Sequence, residues 1–133
     1  MNNDKINIMD LEIADSGPLK TLGVRIDKDI DKKLNNICLA IGVKKGIVIR
    51  RLLAYSLPKM VIDTVAVDSL EGEQTNSKLQ FNFGDQFSFR ITSEDYTKIL
   101  NIKDKTNMNV NVIVNSCLAY SIDKVVVNRI RFN

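Results

Sequence analysis

Two hexapeptides decide the fold: TLGVRI at residues 21–26 and QFSFRI at residues 86–91. In each, apolar residues take alternate positions, the signature of a β-strand with one buried face. Leu22, Val24 and Ile26 point inward in the first, and Phe87, Phe89 and Ile91 in the second. Because the side-chain period is two, burying those residues exposes Thr21, Gly23 and Arg25 on one strand and Gln86, Ser88 and Arg90 on the other.

Reading outward, the likeness continues. Residues 24–60 recur without a gap as residues 89–125, anchored by Ala54, Tyr55 and Ser56 against Ala119, Tyr120 and Ser121. Arg25/Arg90, Lys33/Lys98, Asn36/Asn101 and Leu53/Leu118 support the alignment. A unit this small buries little apolar surface alone, so the two copies are expected to share one core. After each strand comes a helix-start signal: Asp27 in the first copy, and Thr92 with Asp95 three residues on in the second. The first helix carries Ile30, Leu34, Ile37 and Ile41 at helical spacing; its counterpart carries Tyr96, Ile99, Leu100 and Ile102. Gly42 and Asn107, both tolerant of a left-handed cap, end these helices. Second helices are expected over residues 44–57 and 109–122, apolar round much of their circumference and therefore packed on each other at the centre.

At 133 residues and 44% hydrophobic, the chain has the size of one compact domain. No apolar run approaches the roughly 20 residues a membrane crossing needs, and the amino terminus is acidic, so a cytoplasmic location is expected. Cys38 and Cys117 fall within apolar helical patterns and read as free buried thiols. With no histidine and no paired cysteines a structural zinc site has nothing to use, and the commonest general base is missing; no glycine-rich phosphate loop is visible either. The expectation is a protein without enzymatic activity, cofactor, metal or evident small-molecule substrate.

The net charge of +3 hides a segregation. Residues 20–60 carry ten Lys/Arg against three Asp/Glu, and residues 86–133 seven against four; residues 1–19 and 61–85 are acidic. Basic charge thus belongs to the repeats, as expected for a polyanionic partner. Four segments follow: an acidic arm over residues 1–19, expected to be flexible; the first repeat over 20–60; an acidic connection over 61–85; and the second repeat with a carboxyl extension over 86–133. Within the connection, Val61–Val67 and Leu79–Phe83 carry strand patterns, the latter reading as a hairpin or a prolonged strand. Lys28, Lys32, Lys33, Arg50 and Arg51 fit either a contribution to the basic field of the repeats or, for most of them equally well, solvated helix faces.

Strand, capped helix, turn and apolar helix within about 40 residues, written twice, resemble the ribbon-helix-helix (MetJ/Arc) DNA-binding family. The single-chain tandem form is similar to TraY-type proteins. The resemblance implies an α+β, mainly helical fold, with two tandem repeats sharing one core as a pseudo-dimer beneath an antiparallel two-stranded ribbon. It implies that the ribbon enters the major groove of double-stranded DNA, with Thr21, Gly23, Arg25, Gln86, Ser88 and Arg90 reading bases and Arg25 and Arg90 side by side. It also implies that Lys44, Lys45 and Gly46, and Asn109, Val110 and Asn111, hold phosphates at the starts of the second helices. The expected function is a sequence-specific transcriptional regulator, a repressor above all. An accessory protein of plasmid conjugation or partition, and a protein-interaction module, are the alternatives. Gly23 presents no side chain at the middle of the first ribbon strand, so the two halves are expected to read different bases and the site to be an imperfect palindrome; self-association on adjacent sites stays open.

Overall fold

A computed structural model describes residues 4–70 and 81–133. It is an α+β fold in which a two-stranded antiparallel sheet lies over four α-helices. The order is β1 (Leu19–Asp27), α1 (Lys28–Ile41), α2 (Lys45–Ser56), β2 (Phe83–Thr92), α3 (Ser93–Thr106) and α4 (Val110–Ile122). Both strands outrun their hexapeptides, at nine and ten residues.

The caps form as their residue types dictate. Asp27 Oδ2 accepts from the amides of Asp29 and Ile30 at the start of α1, and Thr92 Oγ1 accepts from Asp95 at the start of α3. Gly42 and Asn107 end α1 and α3 in the left-handed conformation, with φ of 69° and 59°. Across the ribbon the exchange is reciprocal. The Lys28 amide donates to the carbonyl of Asn82, and the Ser93 amide donates to that of Pro18, so each helix start is tied to the beginning of the opposite strand.

Beneath the sheet, Val24, Phe89 and Ile91 meet Ile49, Leu52 and Leu53 of α2 and Ile113, Val114 and Leu118 of α4 in one apolar cluster. The two central helices pack on each other as their all-round apolarity demands. Ser56 Oγ on α2 donates to the carbonyl of Cys117 on α4 at 3.1 Å. Both cysteines are free thiols; Cys117 is buried, which pushes its thiol up to about 12, and Cys38 is half-buried.

Three expectations fail. Residues 4–15 are not a loose arm: Ile6 and Ile8 are buried, Ile6 forms a parallel bridge with Val125, and Ile8–Asp15 coil in 3-10 turns against α2. Asp15 clamps this strap by accepting from Arg50 Nε at 2.8 Å and Arg51 Nη2 at 2.6 Å. Those two arginines are accordingly 8% and 6% exposed, not solvated. Lastly, Val61–Val67 is no strand, because residues 61–66 are irregular and Val67–Leu70 form a 3-10 turn. Of the Leu79–Phe83 pattern, Leu79 lies outside the described residues and Phe83 opens β2, opposite Asp27 and beyond a register irregularity.

Candidate nucleic-acid interface

The outer face of the sheet carries three cross-strand rungs: Thr21 opposite Arg90, Gly23 opposite Ser88, and Arg25 opposite Gln86. All six residues are exposed, while Leu22, Val24 and Phe89 beneath them are buried and Phe87 is partly so. The alternation in the two hexapeptides therefore lands as its period requires.

The register has a consequence for the arginines. They are not side by side, because Arg90 faces Thr21, four residues from Arg25 along the ribbon. At about 3.4 Å per residue they stand roughly 14 Å apart lengthwise. The alignment that equates Arg25 with Arg90 also equates Thr21 with Gln86, so the residues facing the two arginines are each other's equivalents. The ladder is thus symmetric about the Gly23–Ser88 rung. No ion pair engages Arg25 or Arg90 among the described residues.

Gly23 is more than a missing side chain. A Cβ there would stand 2.6 Å from Gln86 Nε2, so the carboxamide of Gln86 leans across the ribbon toward its middle. Glycine also serves at the start of α2, where a Cβ on Gly46 would come within 3.2 Å of Phe89 Cβ; this helix approaches β2 closely.

The two second-helix starts differ. Asn109 Oδ1 caps α4 by accepting from the Asn111 amide at 2.7 Å, and Asn111 Oδ1 in turn accepts from the Arg25 amide at 2.9 Å. Both asparagine side chains, expected to help hold phosphate, thus have their oxygens committed within the protein and could donate to an anion only through Nδ2; Val110 between them supplies no polar side chain. At α2 no side chain caps the helix, and Lys44 at its N-cap is exposed. Its first amides keep the anion-favouring character of a bare helix start. Lys45 is held back, its Nζ 2.8 Å from Asp31 and 4.7 Å from the centre of the Phe87 ring.

Sequence reasoning missed the residues behind the ribbon. Asn115 is fully buried; its Oδ1 accepts from the Asp27 amide and its Nδ2 donates to the Arg25 carbonyl, both at 2.8 Å. Arg50, aligned with Asn115 in the repeat, donates through Nη1 to the Arg90 carbonyl at 3.1 Å. A polar residue at matching places in two otherwise apolar helices was the available signal.

Compared with known proteins, the chain matches no family model, and no curated protein or solved structure is significantly similar to it.

Proposed function

We propose that this protein is a sequence-specific double-stranded DNA-binding regulator, acting as a repressor by occluding its site. In this reading it is a single-chain ribbon-helix-helix pseudo-dimer that lays its two-stranded sheet in the major groove. One observation carries the reading: the three exposed rungs Thr21/Arg90, Gly23/Ser88 and Arg25/Gln86, symmetric about their middle and flanked by basic repeats. A two-stranded ribbon fits the B-DNA major groove, and alternate outward side chains reach base edges without disturbing the core. Arg25 and Arg90 each have the fork that pairs with the O6 and N7 of guanine, while the Gln86 carboxamide suits adenine. Their lengthwise separation corresponds to about four base-pair steps, so two guanines at that spacing, one per strand, form the expected core of the site. Lys44 at the uncapped start of α2 is the stronger phosphate anchor, and the α4 start the weaker.

The test is selection of bound duplexes from a random pool by the full chain and by Arg25→Ala and Arg90→Ala. Each variant is expected to lose one guanine preference and keep the other. Unchanged preference in both variants overturns the reading.

A further inference from the structure

Arg25 and Arg90 are equivalent in sequence, yet their backbones are held by different means. Arg25 is gripped at both ends: its amide donates to Asn111 Oδ1 at 2.9 Å, and its carbonyl accepts from Asn115 Nδ2 at 2.8 Å. Asn115 is locked in turn by the Asp27 amide and the Asn111 carbonyl. In the first repeat the matching places hold Gly46, which has no side chain to accept, and Arg50. Arg50 divides its guanidinium between the Arg90 carbonyl at 3.1 Å and Asp15 of the amino-terminal strap at 2.8 Å.

We propose that Asn111, Asn115 and Arg50 are positioning residues that aim the two reading arginines separately, and that Arg50 couples the Arg90 half-site to the strap through Asp15. This rests on the DNA reading above and deepens it. In an antiparallel pair, residues whose side chains share one face also turn their N–H and C=O groups to the same side. For Arg25 and Arg90 that side is the ribbon's outer edge, where water would otherwise satisfy them. Anchoring those groups to a buried asparagine or a nearly buried arginine fixes the height from which each side chain reaches out. Bidentate hydrogen bonds weaken steeply with misalignment, so a small backbone shift is read as lost discrimination. The Arg25 half is self-contained. The Arg90 half depends on Arg50, whose orientation Asp15 shares in setting.

The experiment uses the full chain with Asn111→Ala, Arg50→Lys and Asp15→Asn, each put through the same random-pool selection. Asn111→Ala is expected to lose about tenfold of guanine discrimination at the base facing Arg25 and to retain it at the other. Arg50→Lys and Asp15→Asn should do the reverse. A merely structural role lowers affinity for all sites together, so equal effects on both half-sites, or none on either, overturn the assignment while leaving the DNA reading intact. Hydrogen exchange in the free protein supplies an arm independent of DNA. The Arg25 and Asp27 amides should exchange slowly, and Asn111→Ala should speed the first. An Arg25 amide exchanging as if unprotected overturns the proposal whatever DNA is bound. A wild-type chain that selects no duplex removes the DNA reading and this assignment with it.

Discussion

Tyr55 and Tyr120, 65 residues apart in the chain, stack with ring centres 6.4 Å apart and planes 20° from parallel. They are equivalent in the repeat, and each carries an equivalent lysine on its ring: Lys59 Nζ lies 3.8 Å from the Tyr55 centre and Lys124 Nζ 4.7 Å from that of Tyr120. A residue can meet its own equivalent only near a two-fold axis, as in an isologous dimer contact. The same holds at the Gly23–Ser88 rung. These two self-meetings, one in the ribbon and one between α2 and α4, favour the pseudo-dimer reading.

A double-mutant cycle with Tyr55→Ala and Tyr120→Ala, read by urea unfolding, should return a coupling of about 0.5–1.5 kcal/mol. Tyr55→Phe is the control, since it keeps the stack while removing the hydroxyl bond to Asp4 at 3.3 Å. Costs that simply add would mean that the rings touch without cooperating.

The left-handed caps invite opposite substitutions. Gly42 sits at φ 69° with open space where a Cβ would stand, so Gly42→Ala meets backbone strain and no clash, and should cost about 1 kcal/mol. Asn107→Gly removes the corresponding strain at φ 59° and should leave stability unchanged or raise it by a few tenths of a kcal/mol. Denaturant midpoints for the two variants would check the contrast; loss of stability in both would mean that Asn107 makes a contact worth more than its strain.

How much of this was legible depends on the range of the interaction. The helix caps made by Asp27, Thr92, Gly42 and Asn107 act within four residues of themselves, and these capping roles follow from residue type. The six outward residues follow from a period of two. The strap does not, because Ile6 and Ile8 are buried by Val125 and α2, far away in sequence, and Asp15 reaches arginines 35 and 36 positions on. Arg50 and Arg51 looked solvated since a charge on a helix has no visible partner until the chain folds back. Val61–Val67 shows the opposite error: valines suggest a strand, but a strand exists only where another edge receives its hydrogen bonds, and none does so among the described residues.

Lys44 and Lys45 are neighbours with different expected effects on DNA affinity. Lys44 is exposed at an uncapped helix start, so Lys44→Ala should weaken binding across all sequences and lower the salt slope by about one unit. Lys45 already neutralises Asp31. Lys45→Ala should move the slope less and cost under about 1 kcal/mol of stability, as expected for a partly exposed pair. Affinity measured from low to moderate salt separates them, and equal slopes for the two variants would remove Lys44 from its role.

Asp15 and Asp95 should pull the acid stability of the protein in opposite directions. Burial raises the Asp15 carboxyl, but hydrogen bonds from Arg51 and Arg50 and their positive charge outweigh it and leave it below the ordinary value of 3.8. Its contribution to folding is therefore present above that value and disappears as pH falls through the lower, folded one. For Asp95 burial is again the largest influence, and the charge of Lys98, 4.0 Å away, does not offset it, so its carboxyl is raised. Holding that group ionised above its raised value costs stability, and the cost is relieved as pH falls through that value toward the ordinary 3.8. Asp15→Asn should thus lower stability at neutral pH and flatten the fall below about pH 4. Asp95→Asn should raise neutral stability and forgo the acid relief. Urea midpoints from pH 2 to 7 give both curves, and parallel curves for wild type and Asp15→Asn would mean that the clamp on Arg50 and Arg51 contributes nothing to holding the strap.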